Sequence, residues 1–313
     1  MKKFYMLLAG FLIMFISGCS GSGGGAIDSS GGGGGGGSND YTSTYIGTLK
    51  YVPAGSFQRD DGPLNISTVS AFRMSEYEIT REQFEAVTGL DNPSDVFAYV
   101  INGPVQKTNW YHALVFCNML SMREGLEPVY SIMVSGTANT DPADWIVDNG
   151  AKIPISSNAT WDAATADWTA SGYRLPTEME WMWAAMGAKD GTTGYIKGYA
   201  GSTEAGGAQV NIGNYVWYFD NSDLRTHTVG RKLPNELGIY YMSGNVIEWC
   251  WDWYGDPYPT GLLTNYLGAA SGPYRVVRGG SWSSRASYAT VADRVICVPS
   301  NQAFNIWFLV VRN

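Results

Sequence analysis

Four cysteines and two histidines bound the chemistry open to this chain of 313 residues. Cys19 follows Ile16-Ser17-Gly18, an aliphatic residue and two small ones, which is the form of a lipobox whose cysteine accepts lipid. Three cysteines then remain, Cys117, Cys250 and Cys297. An odd number allows at most one internal disulfide in an oxidising compartment. Cys117 and Cys250 sit beside large apolar residues, which favours buried thiols over a bridge. His112 and His227 stand in unrelated contexts. Two histidines exclude a His-rich zinc site, and a Ser-His-Asp triad would have to use one of them.

The segments around Cys19 explain its role. Lys2 and Lys3 precede an apolar run from Phe4 to Ile16, too short to span a bilayer comfortably and suited to a signal peptide over residues 1–18. Residues 19–40 form a lipidated, glycine-rich linker. Seven consecutive glycines, Gly31 to Gly37, leave Ala26 and Ile27 as its only aliphatic residues. Such a segment cannot bury enough surface to offset its chain entropy. As a flexible coil it reaches roughly 25 Å. A multiply acylated cysteine is an effectively permanent anchor, since each buried CH₂ contributes about 0.8 kcal/mol. The residue after Cys19 is serine rather than aspartate, which permits sorting to the outer membrane. The expected location is the cell envelope, lipid-anchored and surface-exposed.

Residues 41–313 are long enough for one large domain with a substantial core. Aromatics make up 14 % of the chain and charged residues 15 %, with 39 glycines, which suggests a loop-rich fold held by aromatic packing. The net charge of −8 argues against a nucleic-acid partner. No second apolar segment is long enough to span a membrane, and no internal repeat is evident. Strands are expected at 51–57 and 70–74. Thr80 is a plausible N-cap with Gln83 as its capping-box partner. Asn109 to Glu124 carries Ala113, Phe116, Cys117 and Leu120 on one helical face and is closed by Gly125. Thr177 opens a helix over Glu178 to Met186 with Glu180 at N3. Residues 131–170 suggest an insertion of short strands and loops, and 187–234 suggest long ordered loops.

Five segments, in order, resemble the formylglycine-generating-enzyme, or sulfatase-modifying-factor, family. They are Val52-Pro53-Ala54-Gly55-Ser56-Phe57, Tyr77 to Phe84, Gly172 to Trp181, Ser243 to Trp249, and Arg278-Gly279-Gly280-Ser281-Trp282. The resemblance implies an α+β fold, the large, loop-rich variant of the C-type lectin fold, with a few helices around small, mostly antiparallel sheets. Much of it has a structural reading. Arg174 and Glu178 can pair across a loop-to-helix junction, and Gly279-Gly280 lets backbones approach closely. Trp249, Trp251 and Trp253 can fill alternating pockets. In the enzymes, two cysteines after the last motif bind copper and carry out the oxidation. Those positions fall here on Ser284 and Ala289, neither a thiolate ligand for Cu(I). The expectation is no catalytic residue, no copper and no formylglycine-generating activity. The family's calcium sites are partly kept. Gly244, Val246 and Glu248 can supply two carbonyls and a carboxylate, while Tyr241 replaces a further side-chain oxygen, which implies at most a weak site.

Residues 283–309 depart most from that pattern. They contain no Lys, Glu or Met. This composition resembles that of the variable proteins of diversity-generating retroelements, the class of treponemal variable lipoproteins. There, AAC or AAT codons are randomised at adenines, which cannot yield those residues; Gln302 and Trp307 do not fit and need another origin. The implied function is non-catalytic binding of a variable ligand, a protein or other macromolecule, by a monomer. The candidate contact residues are Ser283, Ser284, Arg285, Ser287, Tyr288, Asp293, Val295, Ile296, Cys297, Val298, Ala303, Phe304, Asn305, Trp307 and Leu309. Tyr, Trp, Phe and Arg would anchor, since they bury large areas at low entropic cost. The competing role for Val295, Ile296, Phe304 and Leu309 is core packing. The alternative functions are a non-variable envelope lipoprotein with a structural or assembly role and, behind it, a formylglycine-generating-type oxidase.

Overall fold

A computed structural model describes residues 39–91, 93–94, 102–189, 191, 193–203 and 210–313. The expected signal peptide, Cys19 and nearly all of the expected linker lie outside the described residues.

Four small sheets carry the architecture. The first joins β1 (Tyr41–Ser43), β2 (Gly47–Val52), β5 (Phe72–Ser75) and β14 (Val311–Arg312) in that order, all antiparallel. The second joins β10 (Leu263–Thr264), β4 (Ile66–Val69) and β3 (Gly55–Gln58). The third, which positions the site, has the order β12 (Arg294–Cys297), β11 (Arg275–Arg278), β9 (Ile247–Trp253) and β13 (Ile306–Trp307). The fourth joins β7 (Thr137–Asn139), β6 (Tyr130–Val134) and β8 (Thr165–Ala166). The strand expected over 51–57 is two strands. Pro53 lacks the N–H to continue a ladder, so β2 ends at Val52 and β3 starts at Gly55. The second expected strand begins at Phe72 and runs to Ser75.

Five α-helices complete the fold among the described residues. These are α1 (Arg81–Thr88), α2 (Trp110–Arg123), α3 (Pro142–Asp148), α4 (Ala159–Asp162) and α5 (Glu178–Ala185). Thr80, Asn109 and Thr177 cap α1, α2 and α5, each within a reciprocal capping box with the residue at N3. The stretch 131–170 holds α3 and α4 as well as short strands. Asp141 and Asn158 cap them, and Trp145 and Trp161 anchor them in the core.

The core has two large parts divided by β9. Trp249 and Trp251 join the aromatic cluster around α2, while Cys250, between them, joins the cluster around α5. The period of two along a strand produces this division. Gly55 shows how tightly the second part is packed. A Cβ there would lie 2.2 Å from Cζ2 of Trp183, whose indole donates to Pro53 O at 2.8 Å. Cys117, Cys250 and Cys297 are all buried free thiols.

The ion pair expected between Arg174 and Glu178 is wired differently. Arg174 binds Glu180 through both terminal nitrogens, at 2.7 and 2.8 Å. Glu180, at N3, turns back toward the loop to close the capping box, whereas Glu178 at N1 faces inward. Buried Glu178 takes Nε and Nη2 of Arg294 at 2.6 and 2.8 Å and the Tyr258 hydroxyl at 2.8 Å. Arg278 stands 3.7 Å away. Arg294 is half-buried and Arg278 would still face Glu178, so loss of Arg294 should cost less than the full penalty of stranding a buried charge, on the order of 2 kcal/mol. Arg294→Ala is therefore expected to lose stability on that scale in urea or thermal unfolding. A loss under about 1 kcal/mol would show that the pair contributes little.

His112 occupies N3 of α2, and its burial lowers its pKa to about 4. The folded state thus holds it neutral while the unfolded chain takes up a proton below the ordinary value of 6.5. The unfolded state binds more protons in that window, so stability falls as pH drops from about 6.5 toward 4, by up to about 1.4 kcal/mol per pH unit. His112→Gln keeps the capping-box pattern and removes the titration. Its melting temperature should fall less over that range than that of the parent protein.

Candidate functional site

The C-terminal segment is held to the core by buried groups. Gly280, at φ +70°, brings two stretches of backbone together; a Cβ there would meet Tyr288 O at 2.5 Å. Arg278 spreads its guanidinium over the next stretch. Nη1 donates to Ala292 O at 3.0 Å and to Asp293 O, and Nη2 to Val291 O at 2.9 Å. Arg294 then ties the start of β12 to α5. Further on, Pro299 O accepts the Trp110 amide at 2.9 Å, and Gln302 donates to Lys107 O at 3.1 Å.

Between these anchors lies an exposed surface. Ser281 Oγ stands 3.0 Å from Ser283 Oγ and 3.2 Å from Ser284 Oγ, and Asn305 Nδ2 donates to it at 3.3 Å. Trp282 packs tilted against Phe304, with ring centroids 5.8 Å apart. The loop carrying Trp217 to His227 flanks them. The Phe219 amide donates to Ser284 O at 2.9 Å, Ser222 Oγ donates to Trp282 O at 2.8 Å, and Trp217 stacks on His227 at 3.7 Å.

Seven of the candidate contact residues have exposed side chains: Ser283, Arg285, Ser287, Tyr288, Ile296, Val298 and Phe304. Tyr288 and Phe304 are 54 % and 53 % exposed, unusual for such large rings. Ser284, Asp293, Val295, Ala303 and Asn305 are half-buried, and Val295 and Ala303 lean on the core. Three candidates are corrected. Trp307 is fully buried, with its indole donating to Ile79 O at 2.8 Å, and Leu309 is fully buried in the cluster around α5. Cys297 faces inward from β12, and its thiol accepts from Asn301 Nδ2 at 3.0 Å. None of the three presents a side chain to a ligand. Of the four residues for which core packing competed, Leu309 is core, Val295 is intermediate, and Ile296 and Phe304 are exposed.

The residues missing from the sequence-derived set are Trp282 and Phe219. Trp282 sat inside a motif with a sufficient structural reading. Phe219, 52 % exposed, lies in a loop with no periodic pattern; it closes the aromatic run Trp217-Tyr218-Phe219, which gives no sign of which ring faces water.

The arrangement offers little catalytic chemistry. Where the enzymes carry copper-binding thiols, Ser284 Oγ accepts the Ser281 amide at 3.0 Å and Ala289 is a buried methyl. Burial pushes the Cys117, Cys250 and Cys297 thiols up, away from the thiolate form. In the calcium set, Gly244 O already accepts the Val246 amide at 2.8 Å. Buried Glu248 takes the Trp181 indole on Oε2, which leaves Oε1 without a partner, and burial pushes its carboxyl well above the usual range. Tyr241 spends its hydroxyl on the Arg231 amide and Thr228 O. The carbonyls of Gly244 and Val246 and one free carboxylate oxygen together fall short of the six to eight ligands calcium takes, so these residues do not fit the ion.

Comparison with known proteins agrees with the fold. The family model described as sulfatase-modifying factor enzyme 1-like domain matches residues 40–313. Treponema denticola variable protein 1 superposes with a TM-score of 0.75 at 38 % identity, covering 88 % of this chain and 98 % of that one. Chaperone protein LppX of Paenibacillus barcinonensis is 31 % identical over 93 % of this chain and 92 % of its own length. The formylglycine-generating enzyme of Streptomyces coelicolor is 32 % identical over 54 % of this chain and 58 % of its own. The chain belongs to the sulfatase-modifying-factor family, with the formylglycine-generating-enzyme type of C-type lectin fold, and within it resembles the variable proteins of diversity-generating retroelements.

Proposed function

We propose that this protein is a lipid-anchored, surface-displayed binding protein that takes a macromolecular ligand on the face built by residues 282–305 and catalyses no reaction. The observation that carries this reading is a set of large side chains, Tyr288, Phe304 and half-buried Trp282, presented on a backbone fixed by buried arginines. A rigid frame lets side chains change while the fold persists, and exposed aromatics on ordered backbone are the usual anchors of such surfaces. The likeness to the Treponema denticola variable protein supports diversification of this face by a retroelement. Cys19 and the glycine linker support display from a membrane, the outer membrane in this reading. The protein works as a monomer, without copper or calcium and without nucleic acid.

A second reading has an observation of its own. The likeness to the LppX chaperone extends over 93 % of the chain, which supports an envelope protein that assists assembly of another. The gene neighbourhood separates the two. The binding reading expects an adenine-rich near-copy of the coding sequence for 283–309 beside a reverse-transcriptase gene. Its absence overturns diversification and leaves the assembly role.

Catalysis is tested directly. A sulfatase peptide incubated with the protein, copper and oxygen should show no conversion of cysteine to formylglycine; robust turnover would overturn the non-catalytic reading. Tyr288→Ala with Phe304→Ala should leave stability within about 0.5 kcal/mol, as exposed substitutions do. The same variant should lower affinity for any ligand isolated on the parent protein at least tenfold, measured by surface plasmon resonance.

A further inference from the structure

β12 is an edge strand. Among the described residues its one strand partner is β11, in the register Arg275 to Cys297, Val276 to Ile296, Val277 to Val295 and Arg278 to Arg294. In an antiparallel pair the backbone groups of alternate residues face the neighbour, and those of an edge strand's other residues point away from it. Among the described residues, no turn, cap or loop backbone bond reaches Val295, Ile296 or Cys297. Side chains alternate about this edge. Val295 leans on the core and Cys297 is buried, while Ile296 and Val298 are each 43 % exposed.

Natural edges are blunted by lysines, prolines, bulges or a covering element. This one lacks the first two devices within the strand. Val295, Ile296 and Cys297 favour extended backbone, and Pro299 lies two residues beyond the strand's end. The only charge on the strand, Arg294, is neutralised by buried Glu178.

We infer that β12 is a docking edge, on which an extended segment of a partner polypeptide adds as a further strand of the β12-β11-β9-β13 sheet. The inference rests on the binding reading and names the partner's class and mode. What selects a polypeptide is the chemistry of the edge: N–H and C=O groups at strand spacing are complementary to another strand's backbone. Beside them, the exposed pair Ile296 and Val298 would lie against every second residue of the incoming strand, which therefore carries β-branched or aromatic side chains there. This division suits a variable surface. The backbone edge can pair with any extended partner, and the side chains at positions 296 and 298 choose among partners.

The test uses the full-length protein in detergent micelles and a displayed library of random ten-residue linear peptides. Peptides selected on the parent protein are expected to alternate β-branched or aromatic residues with others. Their binding should fall more than tenfold when alternate backbone nitrogens of the peptide are methylated, and should fall likewise against Ile296→Lys, whose fold is checked by its melting temperature. Failure to select any peptide, or selected peptides indifferent to backbone methylation, overturns the inference. Peptides that tolerate methylation yet lose binding to the Tyr288→Ala, Phe304→Ala variant would sink strand addition while leaving the binding reading intact.

Discussion

Glu178 is the charge on which the exposed C-terminal face depends. It sits buried at the first turn of α5, where its own amide donates to Asp252 Oδ2 at 2.7 Å. Arg294 grips it with two nitrogens, packs over Tyr258 at 3.7 Å and Tyr254 at 4.5 Å, and donates to Gly255 O at 3.1 Å. Arg278, alongside, holds the carbonyls of 291–293. Two arginines on one carboxylate are a costly arrangement unless hydrogen bonds satisfy the guanidinium groups; here backbone carbonyls take both terminal nitrogens of Arg278 and Nη1 of Arg294, while Arg278 Nε has no hydrogen bond and faces the carboxylate at 3.7 Å. An apolar cluster of the same volume would leave those carbonyls without donors. The cluster therefore fixes a path of backbone as well as contributing stability, and that path leads to the exposed segment.

Aromatic packing supplies the other half of the frame. Arg275 lies between Trp110 at 3.7 Å and Trp253 at 3.5 Å, and donates to Trp251 O at 2.7 Å. Burial lowers its pKa to about 9, and the surrounding rings and carbonyls replace water. β11 thus carries a buried arginine at each end, one turned to the tryptophans and one to Glu178. A strand so pinned is a firm partner for β12.

Much of this was legible in the sequence because it follows from local rules. The caps at Thr80 and Thr177 are side-chain chemistry within four residues, and each formed as its spacing implied, whereas Asn109, read as the first residue of its helix, is that helix's N-cap. The five motifs fixed the family and fold because they hold the core. Pairings between distant residues were hidden. Arg174 finds Glu180 rather than Glu178 because N3 of a helix points back to its own N-cap, and Glu178's real partner lies 116 residues away. The candidate surface was partly legible for a similar reason. An unusual composition marks a segment, but it cannot say which side of a strand faces water. Leu309 and Trp307 were swept in by position, although β13 and the run into β14 are as buried as any part of the core.

The pairing of β14 with β5 has a consequence for how errors are handled. β5 and β2 are synthesised early, yet their sheet gains its fourth strand only when residues 311–312 arrive, and Val311 also exchanges backbone bonds with Arg174 in both directions. A frameshift or stop introduced anywhere in the preceding segment removes that strand, along with Trp307 and Leu309 from the two core clusters. Without these residues the sheet ends at β5 and each core cluster loses a fully buried side chain. Substitutions at surface positions leave the closure untouched. Closure of the first sheet therefore depends on residues that follow the exposed segment in the chain.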